Sequence, residues 1–387
     1  MRRRFFWVIF LSGLLCAAFA TVPGEPRFPS LSDEQFQRVS LELSEPPGYF
    51  GTDNLVSNET SFLHVREFVR ANAVPGFAYI GVGPDQNFTY ISEARPSVAY
   101  IIDIRRDNLL HHLFYKAIMM NSRDRWDFMS MLFGKPIVER ADRSEEADAA
   151  DLVEYFQSVS SDRIHFTETF NKMWGSLRDR YPTLVSESDQ IKLLSIAVKF
   201  FEDGLDVRYE IPGRPMLSFF PSFSDLMLET DLEGHLGHYL NSEEDFQFLK
   251  TMQEENRIIP IVGNFSGIKA LRAVGAHIRS QDLKVSVFYL SNVEFYLFRN
   301  RTYRRFVANL HHLPIDERSL LIRSYFNNWF GTWRTHPNAV QNYFSTSLAQ
   351  SFSRFLRLDQ VSPYTNYWEM VNRDYLGVAA RSSSVLD

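Results

Sequence analysis

GFAYIGVGPDQNFTYISEARPSVAYIIDIRRDN, residues 76–108, is the stretch on which the reading of the fold turns. Residues 77–82 are an apolar run of strand length, and Gly81 and Gly83 supply a tight turn. A second apolar run covers 98–102, with Asp103 at its carboxyl end. Short apolar runs bounded by turn residues suit buried strands. Glycine lets the backbone turn sharply and approach a ligand without a Cβ in the way. Asp103 follows Gly83 by twenty residues, the spacing at which an acid ending the second strand reaches ribose hydroxyls. The layout is that of a mononucleotide-binding βαβ half for an adenosine-type ligand. The structural alternative is a tight turn followed by a surface aspartate.

Downstream, residues 108–132 carry apolar side chains at helical spacing, and Met119, Met120, Met129 and Met131 read as core filling. The strand–helix alternation then stops. Residues 135–256 read as a helical insertion or cap, with a charge-dense run at 139–151. Alternation resumes with strands expected at 257–264, 285–290 and 319–325 and helices at 267–281, 295–310 and 343–356. The fold class expected is α/β: a Rossmann-like, mostly parallel sheet with helices on both faces and a long insertion between strands 2 and 3. Ligands of such sheets bind outside the carboxyl ends of the strands. The polar loops after Val82, Ile102, Val262 and Leu290 all fall there.

Upstream, residues 1–20 read as a cleaved signal peptide: Arg2 to Arg4, an apolar stretch, then Ala18-Phe19-Ala20. The expected location is exported, in a periplasm; the alternative is an uncleaved anchor in the inner membrane, the one expected membrane contact. The chain's single cysteine lies in this leader, so no disulfide framework or thiolate site is expected beyond it. Residues 21–60, rich in Pro, Ser, Gly and acids, read as an N-terminal arm with one helix near 32–41. Two halves of one sheet domain follow, 61–134 and 257–387. Net charge is −6 with no dense basic run past residue 4, so no nucleic-acid partner is expected. Sequons at Asn58, Asn87, Asn264 and Asn300 are read as unmodified.

With Gln86 in place of a third glycine, the stretch lacks the dinucleotide fingerprint, and no phosphate loop occurs. At this point the chain resembles the class I S-adenosylmethionine-dependent methyltransferases, and within them a bacterial branch with similar GVG…QNF, DIRR, GNF and SNVE segments. The likeness covers 77–103 and 258–325. It implies S-adenosylmethionine, a small-molecule ligand, as the cofactor, with the acceptor left open. It implies that Gly81 and Gly83 form the cofactor turn, Asp103 binds ribose, Asn264 lies beside adenine, and Asn292 and Glu294 face the acceptor. Asp85, Asn87 and Arg105 join the cofactor-binding set. Two positions depart from the superfamily pattern: Tyr79 stands where an acid is usual and Asp85 where a glycine is usual.

Arg105 and Arg106 suit either an anionic ligand group or a solvent-facing helix start. Glu294 suits either proton transfer or the first turn of a helix. No HExxH or GxSxG motif occurs, and Glu233, His235 and His238 alone make a weak metal set. An exported chain would lack a cytosolic methyl donor. The second expectation is therefore a non-catalytic ligand- or partner-binding protein on a degenerate methyltransferase scaffold.

Overall fold

Every strand residue from the first apolar run to the fifth is buried, which requires cover on both faces of the sheet. The computed structural model describes residues 28–138, 146–215, 217, 219–327 and 334–373. The leader and most of the charge-dense run lie outside them. The strands are β1 (Ala78–Gly81), β2 (Val98–Asp103), β3 (Ile258–Val262), β4 (Val285–Tyr289), β5 (Leu320–Phe326) and β6 (Ser345–Ser351). They form one sheet in the order β3-β2-β1-β4-β5-β6. β1 to β5 pair in parallel, and β6 runs antiparallel to β5. The chain is thus α/β with a mixed, mostly parallel sheet. Among the described residues, only helices and isolated bridges stand between β2 and β3, and no helix is long and apolar enough to cross a membrane.

The structure corrects three local expectations. Residues 343–356 do not form one helix: β6 precedes the helix Phe352–Val361. The run STSLAQS has no strong strand signature, and it is extended because it pairs residue for residue with β5. Residues 108–132 form two helices, Arg106–Asn121 and Arg125–Phe133. Asp124 starts the second by accepting from the Asp127 backbone N–H at 2.7 Å. Met119 and Met129 are buried, as core filling requires.

The third concerns residues 295–310, which form two helices, Val293–Arg299 and Tyr303–Leu310; the N-terminal arm carries its expected helix. The helix Asp33–Leu43 begins with a capping box between Ser32 and Gln35. Just beyond it, the Glu45 N–H donates to the Val262 carbonyl (2.9 Å) and Ser44 Oγ accepts from the Val262 N–H (3.0 Å). These bonds occupy the otherwise open edge of β3. The same segment ends at Ser61, whose hydroxyl lies 2.9 and 3.2 Å from those of Ser345 and Ser347 in β6. The arm is therefore a belt tied to both ends of the strand order, and its middle crosses the carboxyl edge of the sheet.

Candidate functional site

At that carboxyl edge lies a cavity of about 240 Å³. Its wall combines the turn after β1 (Val82, Gly83), the end of β2 (Asp103), the loop after β3 (Gly263, Asn264), the loop after β4 (Ser291, Asn292) and belt residues from Tyr49 to Glu59. Tyr209, Phe265, Tyr289, Phe295 and Tyr296 add aromatic surface. Among the described residues, no lysine, arginine or histidine lines it. Gly83, Asp103, Asn264 and Asn292, drawn from four separate segments, meet on this one wall.

Gly83 needs to be glycine, for its φ is +82°. Its carbonyl accepts from Asn108 Nδ2 at 2.9 Å and lies 2.8 Å from His112 Nε2, which fixes the turn against the helix Arg106–Asn121. Burial pushes the His112 imidazole down to about 4, so at neutral pH it is uncharged and donates through Nε2. Gly81 lies behind the wall. A Cβ there would stand 1.9 Å from Asn87 Oδ1. Asn87 is fully buried and donates to the carbonyls of Val82 (2.9 Å) and Pro84 (2.7 Å) while accepting from the Tyr79 hydroxyl (2.9 Å). Gly81, Tyr79 and Asn87 therefore brace the turn from inside rather than touch the cavity. Asp85 also points away from it, with Tyr239 donating to its carboxylate at 3.2 Å. Burial lifts the Asp85 carboxyl to about 7.

Asp103 reaches the wall already engaged. Its Oδ1 accepts from the Arg105 N–H (2.9 Å) and Nε (3.1 Å), and its Oδ2 accepts from Nη2 (3.1 Å). Arg105 is buried and also donates to the Thr52 carbonyl at 3.1 Å and to that of Asp53. It is neither solvent-facing nor on the wall; it ties Asp103 to the belt. Arg106 turns the other way, to Asp189 at 2.8 Å. Asn264 Oδ1 accepts from the Ser266 N–H (2.9 Å) and hydroxyl (3.0 Å), which leaves its amide N–H groups for the cavity.

Glu294 stands off the wall. It is buried in a fork with Arg323, Nε to Oε2 at 2.5 Å and Nη2 to Oε1 at 3.2 Å. Burial raises its carboxyl, and the arginine opposes that rise. A carboxylate closed into such a pair is not placed to take an acceptor's proton.

The residue that sequence reasoning missed is Glu59. It lines the cavity and is 1% exposed. Its Oε2 accepts from Gln86 Nε2 at 2.8 Å and its Oε1 from the Ser291 hydroxyl. Gln86 Nε2 also donates to the Tyr289 hydroxyl at 2.9 Å, and Gln86 Oε1 accepts from Ser57. Gln86, the residue standing where a dinucleotide site would have glycine, is thus the centre of a buried polar network. Burial raises the Glu59 carboxyl above its usual range, against the pull of these donors.

A family model described as "Domain of unknown function (DUF7790)" matches residues 54–196 and 224–382. The chain belongs to that family. The match takes in Ser57, Glu59, the glycine turn, Asp103 and the loops after β3 and β4. No curated protein matches the chain.

Proposed function

We propose that the protein binds an adenosine-type ligand, S-adenosylmethionine or a close relative, in this cavity on a methyltransferase-like, Rossmann-like scaffold. The helical stretch between β2 and β3 then serves as an insertion beside the site. The observation that carries the reading is the meeting of Gly83, Asp103, Asn264 and Asn292 on one wall. That wall stands where the strand order reverses, between β1 and β4, the place at which open α/β sheets take their ligands. Among the described residues the wall has no cationic side chain to pair with a pyrophosphate, while its rings and amides suit a nucleoside. Asp103 Oδ2 accepts a single protein hydrogen bond, so one of its lone pairs remains for a ribose hydroxyl. Any methyl transfer would rest chiefly on holding donor and acceptor together beside Asn292.

The test is calorimetry of the full chain with S-adenosylmethionine and S-adenosylhomocysteine. Saturable binding is expected, weakened at least tenfold in Asp103→Ala. Absence of heat at millimolar ligand would remove the proposal.

A second reading is favoured by the two arginine forks: a binding protein without turnover. Asp103 and Glu294, the acids best suited to chemistry, are each held by an arginine. In that reading residues 1–20 export the chain. Binding without methyl transfer to any supplied acceptor supports it, and a reporter fused to the C-terminus tells which side of the membrane the domain occupies.

A further inference from the structure

We propose that Glu59 selects a cationic ligand in this cavity, and that the arriving cation displaces a proton from the Glu59 carboxylic acid to solvent. The inference rests on the ligand reading above and names the charge that the ligand must carry. It starts from a contrast among buried acids. Glu294 is paired with Arg323, Asp103 with Arg105, and Asp231 with Arg66. Glu59 is as deeply buried as any of them, yet among the described residues it forms no ion pair; its partners are the neutral Gln86 and Ser291. A lone buried carboxylate is costly when ionised, and burial without an ion pair shifts Glu59 toward the acid.

The cavity cannot supply the missing charge from the protein, because no cationic side chain lines it among the described residues. A positive group on the ligand can. Placed against Glu59, it gains a desolvated partner beside the Tyr289 ring, which also lines the cavity. The proton balance is simple: Glu59 loses one proton to buffer, the ligand's cation takes its place, and no covalent bond changes. The titratable groups around Glu59 are Tyr79, Tyr90, Tyr289 and Tyr367, all buried tyrosines whose hydroxyls are pushed up by burial. None of these tyrosines ionises near neutrality, and Asp85, lifted to about 7, is turned from the cavity toward Tyr239. The proton released on binding is therefore assigned to Glu59, and the Glu59→Gln variant tells the two acids apart. The ligand class that follows is a nucleoside bearing a sulfonium or ammonium group.

The experiment is calorimetry of the full chain with three probes: S-adenosylmethionine, S-adenosylhomocysteine and the neutral 5′-methylthioadenosine. Each is titrated in two buffers of different ionisation enthalpy. The wild type is expected to prefer the sulfonium and to release a proton on binding it. Glu59→Gln is expected to lose roughly 30-fold or more of that preference, to release no proton, and to keep its affinity for the neutral probe. Glu59→Asp retains the charge and should keep most of the preference. If Glu59→Gln does not fold, the wild type alone decides: its affinity for the sulfonium should rise with pH through the Glu59 titration while that for the neutral probe stays level. A preference or a proton release unchanged in Glu59→Gln, or pH-independent sulfonium affinity, overturns the inference while binding of the neutral probe leaves the ligand reading standing. Failure of all three probes to bind removes both.

Discussion

Ser291, in the loop after β4, and Glu294, in the first turn of the helix that follows (Val293–Arg299), stand three residues apart, yet they belong to two different kinds of buried region. Toward the cavity, Ser291 donates to Glu59, an acid surrounded by neutral donors. Toward the sheet interior, Glu294 meets Arg323 of β5, whose guanidinium also reaches Gln350 of β6 and lies 4.6 Å over the Phe355 ring. The interior region is electrically complete and has nothing left to bind. The cavity region is complete only in its hydrogen bonds; its charge is settled either by a proton or by something that enters. Burial alone does not make a carboxylate functional. What matters is whether a permanent cation has been built beside it.

The largest effect expected from this difference is on the interior side. Glu294→Ala leaves Arg323 buried without its carboxylate and should cost about 3–5 kcal/mol in chemical denaturation. The double variant Glu294→Leu/Arg323→Met should recover much of that, because both charges leave together. A double variant as unstable as the single one would mean that Glu294 acts through packing rather than charge.

Asp85 extends the comparison to an acid with neither cation nor cavity. Its carboxyl is lifted to about 7 in the folded protein against 3.8 as a free side chain. Between those values the folded state holds one proton more than the unfolded state. Its contribution to stability is therefore whole below pH 4 and is lost as pH rises through about 7, an effect of order 2–4 kcal/mol. His64, His112 and His238, held near 4, 4 and 3 by burial, act in the opposite sense and lose stability as pH falls below 6.5. The difference between wild type and Asp85→Asn cancels the histidines. Asp85→Asn should gain on the wild type from pH 5 to about pH 7 and then level off, and a difference flat over that range would place the Asp85 titration elsewhere.

The smallest stability effect belongs to Glu59. Replaced by Gln, it loses a costly buried acid and keeps its shape, so the change in denaturation free energy should be within about 1 kcal/mol. A loss as large as that of Glu294→Ala would erase the distinction between the two regions.

Much of this arrangement could be read from the chain. β1 to β5 were legible because strands buried on both faces are apolar runs, as in IIPIV and VSVFY. Their carboxyl ends followed, and with them Gly83, Asp103, Asn264 and Asn292. β6 was not legible, since Ser345, Thr346 and Ser347 become strand residues only through β5 and Ser61. Glu59 was not legible either. It lies in a Pro- and Ser-rich segment without periodicity, and its environment is made by Gln86, Tyr289 and Ser291, distant in sequence. One signal does lie in the sequence: Arg323 interrupts the apolar strand LLIRSYF, and a charge inside a buried strand requires a buried counter-charge.

The belt has a consequence for how the protein is made. Ser61 bonds to Ser345, 284 positions later, and the residues just before Ser61, Tyr49 to Glu59, form part of the cavity wall. On a ribosome, residues are presented in order, so the segment ending at Ser61 waits for 284 further residues before its hydroxyl finds that of Ser345. Loop closure over such a distance is slow and is bought late. Until β6 is made, the belt therefore lacks its second anchorage, and the pocket wall it carries is not yet tied down.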